Sequence, residues 1–451
     1  MTQHTTDFLI IGNSAAGISA AETIRQYRPE ASILMLSNEP YPAYGRPLIS
    51  YLLEGKSTED SIWLRDADFY QRMSIDTLFG PDYAVVSLDA HAHAVTLGNG
   101  DTVAYGQCLV ATGSYPFVPP CPGLEQQENV FTFTTLDQAK AAGEEAKAVT
   151  EAAHAEGRRS RVLVSGAGLI GVKAAEALSF LVDDILVVEP APRVLMAVLD
   201  EHAIPIVLKE METQDIICRT GVMAAEYVSE SNRLIGARLT DATFVECDMV
   251  IMAAGVRPNS AFVVEAGAEQ GRGLVVDENQ RTTLPDVYAA GDVVQMENML
   301  DGSLAPLAMW PNAIRQARIA ALAMMGETAR PDEKGNYAVN ATNIFEVSIL
   351  SCGLSNPPAD GGYEEKVYAD GDSYAKFVVK DGRLYGYALV NRPENAGMYT
   401  NLIAHATPLS EFTEDIFERP IENSDYTGDD RWNRLHKHYP SGLDRRGWKE
   451  A

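Results

Sequence analysis

Val162-Leu163-Val164-Ser165-Gly166-Ala167-Gly168-Leu169-Ile170-Gly171 is the stretch that decides the fold. The apolar run predicts a strand, the G-x-G-x-x-G after it predicts a phosphate-binding turn, and residues 172–181 predict a helix. A second apolar strand, residues 185–188, ends at Glu189, eighteen residues beyond Gly171. Each glycine has a physical job. Gly166 permits the tight turn, Gly168 lets backbone amides approach a pyrophosphate at the helix N-terminus, and Gly171 lets helix and strand pack closely. Glu189 is placed to accept hydrogen bonds from an adenosine ribose, and its charge repels a 2′-phosphate, which points to NADH rather than NADPH. A glycine-rich turn that binds nothing is the alternative. The agreement of strand, loop, helix and distant acid favours the nucleotide.

Around this unit, 451 residues make two or three domains. Hydrophobic residues at 46% and charged residues at 22% are those of a soluble globular chain. The formal charge of −27, from 63 acids against 36 bases, repels nucleic acid and anionic membrane surfaces. The five cysteines, Cys108, Cys121, Cys218, Cys247 and Cys352, show no C-x-x-C and no metal spacing, so neither a disulfide framework nor a metal site is expected. No window reaches the roughly 18 apolar residues of a membrane span, and the N-terminus has no basic leader, so a cytoplasmic location is expected.

Residues 7–11 predict a strand, and Gly12-Asn13-Ser14-Ala15-Ala16-Gly17 is a second phosphate loop, with Ser14 in the place of the middle glycine. Serine is small enough to allow a close backbone approach. The next strand, residues 32–36, leads to Glu39, a second ribose-binding candidate. Two fingerprints imply two dinucleotides.

After these comes Tyr41-Pro42-Ala43-Tyr44-Gly45-Arg46-Pro47-Leu48-Ile49-Ser50-Tyr51. This segment is similar to the flavin-contacting stretch of the FAD-dependent pyridine nucleotide oxidoreductases, in the branch of ferredoxin and rubredoxin reductases, NADH oxidases and assimilatory nitrite reductase. Further stretches resemble that family in the same order: Ala111-Thr112-Gly113, Gly255-Val256-Arg257-Pro258-Asn259, and Val287-Tyr288-Ala289-Ala290-Gly291-Asp292. The resemblance spans residues 7–326. It implies that Arg46 and Pro47 lie by the flavin and that Asp292 holds the ribityl chain of FAD. A helix N-cap is the other reading of Asp292. Trp310-Pro311-Asn312, opening a helix over residues 313–325, resembles the segment under the isoalloxazine ring, where Trp310 either stacks or packs in the core.

Two departures from the family stand out. The redox cysteines that mark its disulfide reductases, and the single cysteine of its thiol-using oxidases, are missing, because no cysteine precedes residue 108 and Arg46 stands where the single one would fall. Thiol–disulfide exchange requires a thiolate beside the flavin, so direct disulfide reduction is disfavoured. Cys121, on a proline-stiffened linker, reads as a packed residue. The second departure is at residue 51. There the ferredoxin-reductase branch carries a lysine, paired with a glutamate two residues after the last glycine of the NAD fingerprint; this chain has Tyr51 and Lys173. Either Lys173 reaches the flavin and favours its anionic reduced form, or it snorkels to solvent. Arg46, Tyr51 and Lys173 are the residues expected at the reacting centre.

The order of motifs predicts an α/β chain of two Rossmann-like dinucleotide-binding domains, with the NAD domain inserted in the FAD domain, plus a C-terminal α+β interface domain. Boundaries are expected at 1–120 and 248–326 for FAD, 121–247 for NAD and 327–451 for the interface domain. Residues 136–157 predict an amphipathic helix. Residues 337–350, 366–368, 374–379 and 384–390 predict strands, with a hairpin turn at Asp381-Gly382 and a helix over 396–405. Residues 420–451, with Tyr426, Trp432, Tyr439 and Trp448, read as an ordered arm. The function implied is hydride transfer from NADH to FAD. Electrons then pass to a small ferredoxin- or rubredoxin-type carrier. The alternatives are an oxidase using dioxygen or a quinone, and a flavoprotein subunit of a larger complex. A homodimer through the C-terminal domain is a further possibility.

Overall fold

The computed structural model describes residues 2–125, 127–329, 335–412, 415–418 and 425. The chain divides into two compact units, residues 1–339 with 344–346, and residues 340–343 with 347–451. The expected arm at 420–451 falls, apart from residue 425, outside the described residues.

Two sheets organise the first unit. The first is built on Gln3–Ile11, which pairs in parallel with Ile33–Ser37 on one side and Thr102–Val110 on the other. Ile75–Phe79 extends it in parallel beyond Ile33–Ser37. On its far edge Thr102–Val110 receives both the short parallel strand Val287–Ala289 and the antiparallel strand Ala94–Leu97. Successive side chains of Gln3–Ile11 point to opposite faces, and both faces are covered. Ile10 packs with Ile18, Ala21 and Ile24 of the helix Ala15–Tyr27 and with Ala313, Ala317 and Ala320 of the helix Trp310–Met324. Leu9 and Ile11 pack instead with Leu34, Val103 and Val263. Burial on both faces explains why residues 8–11 read as an unbroken apolar run, while the polar, mostly exposed residues 3–7 make the strand longer than the expected 7–11.

The second sheet is wholly parallel, in the order Ile216–Thr220, Asp184–Glu189, Arg161–Ser165, Met249–Met252, Val130–Phe131. Met249–Met252, which the sequence boundary at 247 leaves with the FAD part, therefore belongs to this sheet. The amphipathic helix is Leu136–Ala155, started by a capping box in which Thr135 Oγ1 accepts from Gln138 N at 3.2 Å and Gln138 Oε1 accepts from Thr135 N at 3.2 Å. The helix after the glycine loop is Leu169–Leu178, three residues earlier than expected, because it starts directly from Gly168 as its N-cap. A three-stranded antiparallel sheet, Ala224–Glu230, Arg233–Leu239 and Phe244–Glu246, was not anticipated. Its first turn, Ser231-Asn232, has φ of 50° and 63°, the positive values that a two-residue hairpin turn of this hand requires.

The strand expected over 337–350 is two strands, Val339–Ile344 and Val347–Gly353, with Phe345, which is grouped with the first unit, at φ 50° between them. The sheet runs on through Arg383–Val390, Ser373–Lys380 and Glu364–Asp370. The turn at Asp381-Gly382 has φ of 48° and 66°, and the helix Ala396–Ala404 sets Tyr399 4.8 Å from Phe377, ring to ring. No helix among the described residues is long and apolar enough to cross a membrane.

Candidate functional site

The two glycine loops lie at the carboxyl ends of the two sheets, each between a central strand and the helix that follows it. At Gly12 φ is +123° and a Cβ would lie 2.1 Å from the Ala111 carbonyl oxygen; at Gly166 φ is +113° and a Cβ would lie 2.3 Å from the Ala253 carbonyl oxygen. A side chain at Gly17 would meet Gly12 O at 2.0 Å, and one at Gly171 would meet Gly166 O at 1.9 Å. These clashes are with backbone, so the neighbour cannot give way. Gly168 has nothing within 4 Å of where its Cβ would stand, so the space before the helix N-terminus is open. An open face before free amides at a helix start fits a pyrophosphate. Ser14 caps the first helix with an extended backbone and makes no side-chain capping bond, while Ala15 opens that helix.

Each loop has its acid. Glu189 closes the strand Asp184–Glu189, and its oxygens accept from Ala167 N and Ala191 N, both at 2.8 Å. Glu189 thus braces the glycine loop itself, Leu169 and Ile170 following as the first helical residues. Glu39 is held by side chains. Arg46 forms an ion pair with it and the Tyr44 hydroxyl donates to it at 2.6 Å. Burial pushes the Tyr44 phenol up, so it remains a donor, and it also accepts from Leu136 N at 3.0 Å. Arg46 donates further to Thr134 O at 3.2 Å. Arg46, which opens the short 3-10 turn Arg46–Leu48 with Pro47 after it, thus ties this turn to Glu39 and Thr134.

The remaining motifs converge. Ser114–Pro116, directly after Ala111-Thr112-Gly113, pairs antiparallel with Val256–Pro258, directly after Gly255. Thr112 Oγ1 donates to Asn259 O at 2.6 Å, and Asn259 N to Gly113 O at 2.9 Å. Ser114 Oγ donates to Asp292 Oδ2 at 3.3 Å. Asp292 borders a cavity of about 400 Å³ that Ser114, Arg257 and Pro306 also line. Burial raises the Asp292 carboxyl above its usual range, with Ser114 and the Arg46 guanidinium partly offsetting the effect. Gly291 N donates to Gln316 Oε1 at 2.8 Å, and Gln316 Nε2 donates to Asn336 Oδ1 at 2.9 Å. Gln316 thereby fixes the peptide that presents Asp292, a role the sequence reading missed. Trp310 is half-buried at the start of its helix, two residues before the buried Asn312.

Lys173 does not snorkel. Its side chain is 15% exposed, paired with Glu176, 3.6 Å from Glu54 Oε1, and its Nζ stands 4.8 Å from the Tyr51 ring centre. Glu54 and Glu176 were also missed. The Lys173-x-x-Glu176 spacing on one helix was the available signal.

All five cysteines are free. Burial pushes Cys218, Cys247 and Cys352 up to about 12, raises Cys108 further, and raises Cys121. Such thiols are protonated at neutral pH and poor nucleophiles. Among the described residues no group of His, Cys, Asp and Glu is arranged to hold a metal.

The NADH-dependent phenylglyoxylate dehydrogenase subunit epsilon of Aromatoleum evansii is 29% identical over 419 residues, 92% of this chain and 96% of that one. An NADH oxidase of Methanocaldococcus jannaschii is 31% identical over 346 residues, 75% of this chain and 74% of that one. The crystal structure of the ferredoxin reductase for the CYP199A2 system of Rhodopseudomonas palustris matches with a TM-score of 0.76 at 25% identity, covering 90% of this chain and 98% of that one. The family model of pyridine nucleotide-disulphide oxidoreductases matches residues 6–317. The chain belongs to the pyridine nucleotide-disulphide oxidoreductase family, and it is an oxidoreductase of FAD and NAD(H).

Proposed function

We propose that this chain is an NADH-dependent FAD oxidoreductase that hands electrons to a small redox carrier protein. FAD and NADH supply the hydride chemistry between them; the chain supplies position and field. The observation that carries the reading is the pair of loops, residues 12–17 and 166–171, each with the same backbone clashes at its glycines and each followed, at or just past the end of the next strand, by an acid held in place by hydrogen bonds. The first loop, Glu39, Arg46, Pro47, residues 111–113, Gly255, Gly291, Asp292 and Trp310 would hold FAD, and the second loop with Glu189 would hold NADH. The FAD part is residues 1–120 and about 253–326, the NAD part the segment between, and residues 327–451 the interface domain. Arg46, Tyr51 and Lys173 lie where the two parts meet. The similarity to a ferredoxin reductase supports a carrier protein as acceptor.

A flavoprotein subunit of a larger complex is a second reading, favoured by the nearly full-length likeness to a dehydrogenase subunit. An NADH oxidase is a third, favoured by the archaeal relative. Anaerobic NADH titration of the purified yellow protein, followed by addition of air or of a ferredoxin, separates them. Bleaching without turnover until the carrier is added supports the reductase, fast turnover in air the oxidase, and co-purifying polypeptides the subunit. A colourless protein that takes up no FAD would remove all three. Pairing of two copies through the interface domain belongs to the same proposal and is checked by sedimentation, where a monomer would count against it.

A further inference from the structure

Four charged side chains gather where the short helix Ile49–Leu53 meets the helix Leu169–Leu178. Glu54, just past the end of the first helix, has a fully buried side chain whose oxygens face two ammonium groups. Its Oε1 lies 3.6 Å from Lys173 Nζ and its Oε2 lies 2.9 Å from Lys56 Nζ. Glu176, 1% exposed, pairs with Lys173 through Oε2 and accepts from Phe345 N at 2.7 Å through Oε1. Lys56 is half-exposed, its ammonium 5.8 Å from the Phe180 ring centre.

Stability alone is a weak reason for this arrangement. Removing two carboxylates from water is costly, and an apolar cluster of the same volume would hold the helices as well or better. What a buried cluster of ions supplies is a fixed geometry between the elements that carry it. One of those elements begins in the Gly166–Gly171 loop, and the other continues from the Arg46 turn.

We propose that Glu54 and Glu176 are positioning residues that hold Lys173 between the two nucleotide-binding parts and so set how closely the two cofactors approach. The proposal rests on the reading that FAD and NADH occupy the two loops. Hydride transfer requires reacting atoms about 3–3.5 Å apart, and a misplacement of about 1 Å costs up to roughly a hundredfold in rate. The cluster also makes the Lys173 charge locally compensated. If Lys173 instead worked by offering positive charge to the flavin, removing an acid would unmask that charge and raise the flavin potential.

The two mechanisms part in Glu54→Gln and Glu176→Gln. The holoenzyme variants are compared by limiting rate of anaerobic flavin bleaching, NADH dissociation constant and flavin midpoint potential, and the FAD-free proteins by melting temperature. The expected result is a limiting rate about tenfold lower, with NADH affinity within about twofold and an unchanged potential. In the FAD-free protein Lys173→Met should lower the melting temperature, and adding Glu54→Gln to it should recover part of the loss, because one buried acid fewer is left uncompensated. A raised potential with an undiminished rate would overturn the proposal in favour of a direct charge effect. A shifted melting temperature with rate and affinity intact would overturn it in favour of a purely structural cluster. Where a Gln variant folds poorly, Glu54→Asp keeps the charge and shortens the reach, with the same split expected. Failure of the wild type to bleach with NADH is a separate outcome, since it removes the cofactor reading itself.

Discussion

The two glycine loops are near copies in backbone and differ in how each acid is held. In the second loop Glu189 accepts from Ala167 N, inside the loop, and from Ala191 N, just beyond its own strand. The acid and the phosphate turn are joined directly, through backbone amides alone. In the first loop Glu39 is gripped by Arg46 and Tyr44, and Tyr44 in turn accepts from Leu136 N, nearly a hundred residues away in sequence. The acid of the second loop is held by the loop's own amide and its neighbour's, whereas that of the first is wired into the segment 41–53 and, through Tyr44, the start of the helix Leu136–Ala155. A fingerprint can be complete in sequence only where its supports are local, and this is why the second loop reads cleanly and the first less so.

The largest effects should come from the glycines that the loops share. Gly12→Val should leave a protein that retains no FAD, whereas Gly166→Val should stay yellow and lose NADH binding by roughly a hundredfold or more, since each side chain would meet a backbone oxygen at under 3 Å. Flavin content and NADH titration check both. FAD loss in Gly166→Val with retention in Gly12→Val would reverse the assignment of the loops.

Next comes Glu189→Ala, which takes an acceptor from two amides as well as from a ribose. NADH affinity should fall about tenfold to a hundredfold, from about 1.5–3 kcal/mol for a hydrogen bond to a charged group, while NADPH binding changes less. Dissociation constants for both nucleotides measure it. A wild type that prefers NADPH would show that Glu189 braces the loop without facing the ribose.

Asp292→Asn sharpens the first site. Burial raises the Asp292 carboxyl in the fold, so the folded state binds its proton more tightly than the unfolded chain does. Stability from this group is then intact at low pH and falls as pH rises from the unfolded value, about 3.9, toward the folded one. The FAD-free Asp292→Asn protein should melt about 2 °C higher than the wild type at neutral pH, a difference that vanishes below about pH 4. FAD retention should drop about tenfold. A higher melting temperature with undiminished FAD affinity would leave Asp292 as a structural residue only.

The smallest effect expected is none. Alkylation of the native protein, with FAD bound, should leave turnover with an artificial acceptor unchanged, because every thiol is held protonated by burial. Inactivation at one alkylated cysteine per chain would restore a thiol mechanism.

Local pattern explains what the sequence made legible. The strand and glycine turn at 162–171 and the turn at Asp381-Gly382 each declare themselves within a few residues. Phe345 carries a positive φ without being glycine or asparagine, so the hairpin there had no turn signal and read as one strand. Met249–Met252 looks the same whichever sheet receives it, because an apolar strand does not name its neighbours. Lys173 stands out in the sequence because the resemblance places a glutamate there, yet its partners lie just past the end of another helix and one turn further along its own. The choice of an ion partner across elements is a tertiary decision that residue spacing records only for the Glu176 half.

The strand Thr102–Val110 is flanked by Gln3–Ile11 on one edge and by Val287–Ala289 on the other. A ribosome emits the chain from one end, so the last of these partners emerges only after about 180 further residues, which at roughly 5–20 residues per second is some ten to forty seconds of synthesis. Through that interval the nascent first sheet waits with an unfilled edge beside buried Cys108, Leu109 and Val110, while the wholly parallel second sheet has time to close first. The segment that ends in Asp292 thus carries the last strand, in order of synthesis, that the first sheet receives.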